Sequence, residues 1–323
     1  MLLPPSRRAR RLWTIPLSFA LTVALAAGCG ASPPPARPAA AATSPAAVRR
    51  SIVQSSDGVA LAVEEAGPAD APTLVFIHGL GFTRAAWHRQ LESSLAARFH
   101  LVAYDLRGHG QSARPADPAA YSDGARWGDD LRAVLAATRA RHAIVVGWSL
   151  GGLAVALYLR DHGDAAIAGV VFVDAVTAFS PALLGPENPR YTAGLPSKDD
   201  AARARATHAF IAACFATPLP AAELAALEAA AGVLPAYMHA AIFRMSIDGV
   251  DAGLRALTRP ALVIQGSADV LVSMAMADHI ASLVPGAQRS TYEGVGHAPF
   301  LEATPRFDAE LAAFAAAATR AAR

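Results

Sequence analysis

The stretch Val145–Gly152, VVGWSLGG, places a serine between glycines at the end of a run of β-branched apolar residues. A short, continuously apolar run is typical of a strand buried on both faces, and the leucine- and alanine-rich residues that follow are typical of a helix. Ser149 is therefore expected in the turn between strand and helix, with its hydroxyl clear of the sheet. The pattern G-x-S-x-G in this setting indicates a nucleophilic serine.

Similar apolar segments recur along the chain, with helical segments between them. The strand-like segments are TLVFIHG, FHLVAYD, HAIVVGWS, AGVVFVDA and PALVIQGSAD, preceded by a hairpin that turns at Asp57-Gly58 and followed by QRSTYEGVG. This alternation predicts an α/β fold with a mostly parallel, eight-stranded sheet flanked by helices. We assign residues 50–175 and 259–323 to this core.

Residues 176–258 break the rhythm, because they contain helix signals and no convincing buried strand. Ser197 and Asp200 have the spacing of a capping box, and Pro220 and Gly232 bound a further helical segment. We expect a helical cap inserted after the sixth strand. Insertions at the carboxyl edge of such a sheet usually border a ligand site.

The N-terminus has the pattern of an export signal. RRARR precedes the apolar run LWTIPLSFALTVALAAG, and residues 1–28 are expected to be removed. LAAGC resembles a bacterial lipobox, with Ala26 where leucine is usual, so Cys29 is the expected lipidation site. An uncleaved anchor helix and ordinary secretion are the alternatives. The proline- and alanine-rich residues 29–49 predict a tether, and together these features predict a lipid-anchored protein of the bacterial cell envelope.

Charge and cysteine content exclude several classes of protein. The formal net charge is +2, and the four arginines of the export segment account for more than this excess, so the remainder carries −2. This charge argues against nucleic acid as a partner. The two cysteines do not suggest a disulfide framework, and no paired Cys/His spacing suggests a metal site. No cofactor is expected, and the sequence does not indicate the oligomeric state.

A serine hydroxyl becomes a nucleophile when a base accepts its proton and an acid orients that base. His297, in YEGVGHAPF, follows the last strand-like segment and is the candidate base. Two aspartates follow earlier strands and could orient it: Asp269 in VIQGSADVL and Asp174 in VVFVDAV. All these residues are expected at the carboxyl edge of the sheet, beside Ser149.

From Ser51 to its end, the chain resembles the α/β-hydrolase superfamily. Four motifs carry the resemblance, in order: HGLG, DLRGHGQS, GWSLGG and the pair GSAD/GHAPF. The wording is most similar to small carboxylesterases such as the pimeloyl-carrier-protein methyl ester esterase, and to cofactor-free haloperoxidases. The family places the acid most often directly before the histidine segment, which favours Asp269 over Asp174.

The resemblance implies a serine hydrolase acting on a carboxylic ester, thioester or related acyl compound through an acyl-enzyme. Backbone N–H groups of Leu80 and Leu150 are the expected oxyanion donors. Leu80, Trp148 and Leu150 are the expected substrate contacts. The alternatives are perhydrolysis, C–C bond hydrolysis or acyl transfer by the same triad, and a non-catalytic binding protein on the same fold.

Overall fold

The computed structural model describes residues 48–140 and 142–322. The predicted export segment, the lipidation site Cys29 and nearly all of the tether lie outside the described residues. The first strand begins at Arg49, which is one residue inside the predicted tether. The strands are β1 (Arg49–Gln54), β2 (Ala60–Ala66), β3 (Thr73–Ile77), β4 (His100–Tyr104), β5 (Ala143–Trp148), β6 (Ile167–Val173), β7 (Ala261–Gly266) and β8 (Gln288–Tyr292).

The eight strands form one sheet in the order β1-β2-β4-β3-β5-β6-β7-β8. Strand β2 pairs antiparallel with β1 and with β4, and all other neighbours are parallel. Every residue of β3, β4, β5, β6 and β7 is buried, as their unbroken apolar runs predicted. The predicted fold class is therefore confirmed.

Helices cover both faces of this sheet and also form the segment between β6 and β7. The helices are α1 (His88–Leu91), α2 (Ala119–Ser122), α3 (Gly124–Ala137), α4 (Leu150–His162), α5 (Asn188–Thr192), α6 (Asp200–Ala213), α7 (Ala221–Ala231), α8 (Ala236–Ile242), α9 (Val250–Arg255), α10 (Met274–Leu283), α11 (Pro299–Glu302) and α12 (Thr304–Ala321). Helix α4 packs against both α3 and α9 as well as β5, which explains why its first ten residues are all buried.

The segment RAAWHRQLESSLAAR, which the sequence suggested was helical throughout, is broken into three short pieces. The α-helical part is only α1, and the turns on either side of it are 3-10 helices. The break occurs at Ser93, whose hydroxyl donates to Gln90 O (3.0 Å) and accepts from Leu95 N (3.1 Å). Serine side chains compete for backbone groups in this way and end helices.

Five helices, α5 to α9, follow β6 within the predicted cap, and the last of them, α9, packs against α4 and α10. Helix α6 begins two residues later than a capping box at Ser197 would place it, because Asp199 is its N-cap and accepts from Ala202 N at 2.8 Å. Pro220 and Gly232 are the N-cap and C-cap of α7, as expected. Within the described residues, no single helix has the length and apolar character to cross a bilayer; α7 and α8 together reach that length but are bent by 89°.

Candidate active site

Ser149 occupies a strained turn at the end of β5. Its backbone has φ +54° and ψ −119°, a region that residues other than glycine rarely adopt. Ser149 N donates to Val173 O at 3.0 Å, and its carbonyl accepts from Gly152 N at 2.9 Å, so β6 and the first turn of α4 hold the strain in place. The residue is only 7% exposed, yet it lines a cavity.

The glycines of G-x-S-x-G are required by close backbone approach. A Cβ on Gly151 would lie 2.4 Å from Ile77 O, and one on Gly147 would lie 2.7 Å from Gly151 O. Both distances are far below van der Waals contact, so any side chain here would force the turn apart. This packing explains why a serine in this turn has small residues on both sides.

His297 and Asp269 form a buried hydrogen-bonded pair. His297 Nδ1 lies 2.6 Å from Asp269 Oδ2, and the two side chains are 2% and 0% exposed. Asp269 also accepts from Leu271 N at 2.8 Å, Val272 N at 3.0 Å and Gln265 Nε2 at 3.1 Å. A carboxylate with these donors binds Nδ1–H of the imidazole, which leaves Nε2 free to act as an acceptor.

Asp174, the other candidate for the orienting acid, lies at the end of β6 and makes no hydrogen bond to His297. Its Oδ1 accepts from Gly266 N at 2.8 Å. Asp174, Asp269 and His297 form a close group: one carboxylate oxygen or ring nitrogen from each residue lies within 4.8 Å of those of the other two. Because the short hydrogen bond already joins two of the three, the arrangement is a His–Asp pair with a second carboxyl beside it.

Trp148 is placed differently from the prediction that it contacts substrate. Its indole is fully buried, packs edge-on against Phe82 and Phe300, and does not line the cavity. Its Nε1 instead donates to His297 O at 2.6 Å, while His297 N donates to Cys214 O at 2.9 Å. The tryptophan and the end of α6 therefore fix the backbone on which the imidazole is mounted.

Glu302 is a structural contributor that the sequence did not reveal. Its two carboxylate oxygens accept from Gly296 N at 2.9 Å and from Thr217 N at 2.8 Å. The first contact is beside His297 and the second is in the turn after α6, so one side chain joins the histidine loop to the cap. The only sequence signal was an acidic residue five positions after the histidine.

A cavity of about 250 Å³ opens between the cap and the edge of the sheet. Ser149 and His297 line it together with Leu80 and Leu150. Neither the Leu80 nor the Leu150 N–H donates a hydrogen bond to any described residue, so both remain available to a ligand. The rest of its wall comes mainly from apolar side chains of the cap and neighbouring loops: Val176, Phe179, Leu184, Phe210, Ile242, Phe243, Leu271 and Val272.

Two further histidines near this edge order loops. His78 Nδ1 donates to Gly79 O at 2.8 Å and Nε2 accepts from Leu106 N at 3.0 Å, while His109 Nδ1 donates to Arg107 O at 3.1 Å. Burial lowers the pKa of His78 to about 4 and that of His109 well below its usual range. Both are therefore neutral at neutral pH, and His78 has no nitrogen left to act as a base.

Known proteins similar to this chain share its fold and part of its sequence. The family described as alpha/beta hydrolase fold matches residues 72–304. A Burkholderia cenocepacia protein assigned as an aryl esterase is 36% identical, with a TM-score of 0.81 over 84% of this chain and 100% of that one. The esterase RhEst1 from Rhodococcus sp. ECU1013 is 34% identical, with a TM-score of 0.77 over 83% of this chain and 98% of that one.

A curated relative aligns over a shorter region. The bifunctional esterase/perhydrolase DCH of Acinetobacter calcoaceticus is 35% identical over 124 residues, which are 38% of this chain and 44% of that enzyme. The chain therefore spans less than half the length of this relative. The family match is broader, since it extends from just before β3 to the start of α12. It includes the turn at Ser149 and the loops that carry Asp269 and His297. The chain belongs to the alpha/beta hydrolase fold family, and it is a hydrolase of that fold.

Proposed function

We propose that the protein is a serine hydrolase that cleaves a carboxylic ester, thioester or related acyl compound. Ser149 is the nucleophile, His297 is the general base and acid, and Asp269 orients the histidine. One observation carries the proposal: Ser149, in its strained turn, and His297, held by Asp269 at 2.6 Å, line the same cavity. A nucleophile and an oriented base in one cavity are the parts that acyl transfer requires.

In the first half-reaction, His297 Nε2 accepts the hydroxyl proton as Ser149 Oγ attacks the carbonyl carbon of the substrate. The negative charge that develops on the carbonyl oxygen is stabilised by the N–H groups of Leu80 and Leu150. His297 then returns the proton to the departing alkoxide or thiolate, which leaves an acyl-Ser149 ester. In the second half-reaction, water attacks this ester with the same base, and the acid is released.

The size and lining of the cavity favour a small apolar acyl or aryl group. A volume of about 250 Å³ is below the usual range of roughly 300 to 1,000 Å³ for sites that hold drug-sized ligands. Three phenylalanines, Phe179, Phe210 and Phe243, contribute to its wall. Two similar solved structures are an esterase and a protein assigned as an aryl esterase, which is consistent with this substrate class.

Perhydrolysis is the second candidate activity, and the bifunctional esterase/perhydrolase among the relatives favours it. In that reaction, hydrogen peroxide replaces water as the nucleophile toward the acyl-enzyme, and the product is a peracid. The triad and the oxyanion donors keep the same roles. Only the partition of the acyl-enzyme between water and peroxide distinguishes the two activities.

A series of p-nitrophenyl esters of graded chain length, measured with and without hydrogen peroxide, tests the proposal. We expect turnover to be highest for short to medium acyl chains, with each methylene that fits contributing about 0.8 kcal/mol until the cavity is full. Ser149→Ala should lower turnover by about six orders of magnitude. An alanine variant that keeps its activity would refute the mechanism, and a rate that rises through long chains would refute the size limit that we assign to the cavity.

We further propose that the mature protein is exported and anchored to a membrane of the bacterial cell envelope by lipid on Cys29. The support is the sequence of residues 1–49: a basic segment, an apolar run, a lipobox-like LAAGC and a proline-rich tether. One acyl chain anchors only marginally, so stable attachment requires more than one. Mass spectrometry of the membrane fraction should find a lipidated Cys29 at the N-terminus; an unmodified cysteine or a soluble mature protein would contradict the proposal.

A further inference from the structure

Asp174 is a fully buried aspartate whose position the reaction described above leaves unexplained. It follows β6 directly and adopts φ +42°, a left-handed backbone conformation that costs a residue other than glycine free energy. Asp174 N donates to Ile264 O at 2.9 Å, and its Oδ1 accepts from Gly266 N at 2.8 Å. These bonds attach the end of β6 to the end of β7, where the loop that carries Asp269 begins.

The second oxygen of Asp174 has no hydrogen-bond partner among the described residues. The oxygen is buried, and the Asp174 carboxyl group lies beside Asp269 and His297: one carboxylate oxygen or ring nitrogen from each of the three residues is within 4.8 Å of those of the other two. A buried ionised oxygen without a donor is strongly unfavourable, whereas a protonated one can donate to a neighbouring carboxylate. Asp269 already accepts hydrogen bonds from four N–H groups, so of the two aspartates it is the one that these contacts favour in the ionised form.

The charges around Asp174 point in the same direction. Burial raises the pKa of Asp174 well above its usual range, and the negative charges of Asp269 and Glu302 raise it further. The other titratable neighbours are Cys214 and Tyr292, whose pKa values burial also raises, so both are neutral at neutral pH. The third group of the cluster, His297, is a base and carries a positive charge when it is protonated.

We propose that Asp174 is a positioning residue that keeps its carboxyl proton and shares it with Asp269, so that a single negative charge lies behind His297. This inference rests on the proposed function, because it assigns Asp269 as the partner of the catalytic histidine. Two carboxyl groups at this separation cannot both ionise at low cost, so the pair holds one proton between them. The shared proton moderates the charge of Asp269 and with it the basicity of His297.

Two substitutions separate this role from a purely structural one. Asp174→Asn keeps a neutral side chain of the same shape, with an oxygen for Gly266 N–H and an N–H donor toward Asp269, and asparagine tolerates positive φ. Asp174→Ala removes both groups. The measurements are kcat and KM per titrated active site for p-nitrophenyl acetate from pH 5 to 9, and infrared difference spectra between wild type and Asp174→Asn at pH 7.

We expect Asp174→Asn to keep kcat within about threefold and to leave the acid limb of the pH profile in place, because one neutral donor replaces another. Asp174→Ala should lower kcat by about tenfold with little change in KM. Its acid limb should move to higher pH by about half a unit, because an Asp269 carboxylate without this donor stabilises the imidazolium more strongly. The difference spectrum should contain a carboxylic-acid C=O band from wild-type Asp174. The bands of the other carboxyl groups are present in both proteins and cancel in the subtraction.

Three results would overturn the proposal. The first is the absence of the carboxylic-acid band. The second is an acid limb in Asp174→Asn that moves to lower pH by about one unit, which would show that a negative charge had been removed from beside His297. The third is an Asp174→Ala variant with unchanged kcat and unchanged pH profile. Should Asp174→Ala not fold, Asp174→Asn and the infrared band decide the question, and a parallel Ser149→Ala control identifies a failure of the proposed function separately.

Discussion

At the scale of single residues, the His297 imidazole is held by its backbone as well as by Asp269. Trp148 Nε1 donates to the carbonyl of His297 and Cys214 O accepts from its N–H, so both peptide groups of the residue are fixed. A displacement of a catalytic group by about 1 Å can cost about a hundredfold in rate. The buried indole is therefore placed to preserve activity although it does not line the cavity.

Trp148→Phe should lower kcat about tenfold and leave KM nearly unchanged. The phenyl ring keeps most of the packing, but the His297 carbonyl loses its donor, and an unmade buried hydrogen bond costs about 1 to 3 kcal/mol. Trp87→Phe is the matched control, because Trp87 is equally buried and its Nε1 has no partner among the described residues. Equal effects of the two substitutions on kcat, measured per active site, would show that packing alone matters.

The residues of the candidate site divide into those that a motif reveals and those that only the fold reveals. Ser149, Asp269 and His297 occupy positions that their local sequence already marks. The role of Trp148 could not be predicted, because its partner is a backbone carbonyl 149 residues away. The same applies to Glu302, since no local pattern announces a carboxylate that binds two backbone N–H groups from different elements.

At the scale of elements, the cap and the histidine loop are joined by Glu302. The carboxylate binds Gly296 N beside the histidine and Thr217 N in the turn after α6. The loop also packs tightly there, since a Cβ on Gly296 would lie 2.5 Å from Ala216 N. The position of the cap and the position of His297 are therefore coupled.

Glu302→Ala should lower both the melting temperature and kcat, because two hydrogen bonds to a charged group are lost, each contributing about 1.5 to 3 kcal/mol. Hydrogen exchange should increase at Gly296 and Thr217 together. Glu293→Ala, a change at an exposed glutamate in the preceding turn, should leave stability, exchange and kcat unchanged. Exchange that rises at only one of the two amides would show that Glu302 does not couple the cap to the loop.

Element boundaries could be predicted where apolar periodicity was long and unbroken. The strands and the helices α3, α4, α10 and α12 lie where the pattern placed them. The prediction of one continuous helix around α1 is wrong, because the hydroxyl of Ser93 hydrogen-bonds to the backbone groups of Gln90 and Leu95 and interrupts an otherwise helical sequence. The sequence predicts the helix α6 but not its first residue. Its N-cap is Asp199 and not Ser197, because several neighbouring polar residues are each able to cap a helix.

At the scale of the whole molecule, several buried histidines affect stability. His78 is fully buried and its pKa is lowered to about 4, and His239, in α8, is 1% exposed with a pKa lowered to about 3, in each case chiefly by burial. The unfolded chain binds protons at these histidines near pH 6.5, whereas the folded chain does not. Stability from these groups is therefore complete above about pH 6.5 and is lost as pH falls toward 4.

His239→Leu isolates one of these contributions. Between about pH 6.5 and 4, wild type should lose up to about 1.4 kcal/mol of stability per pH unit from His239, and the leucine variant should not. Neither ring nitrogen of His239 has a partner among the described residues, so leucine breaks no hydrogen bond. Urea unfolding from pH 4.5 to 7.5 measures the two curves. A constant difference between them would contradict the assignment, and His142→Asn, at an exposed site, should match wild type.

The overall architecture follows from the sequence only up to the strand order. The apolar segments predict eight strands and a helical insertion between the sixth and seventh strands. The sheet has eight strands, and the helices α5 to α9 lie between β6 and β7 in the chain. That β4 lies between β2 and β3 could not be derived from the strand pattern, because pairing partners far apart in the chain leave no local signal. The resemblance to a known family supplied the expectation of that fold where periodicity could not.

The central claim is that Ser149 is the nucleophile, and covalent labelling tests it most directly. A fluorophosphonate probe added to the purified protein should form one adduct, and peptide mass spectrometry should locate it on Ser149. Ser149→Ala should remain folded by circular dichroism and show no adduct. Labelling of the alanine variant at the wild-type rate, or an adduct on any other residue of the wild type, would contradict the account.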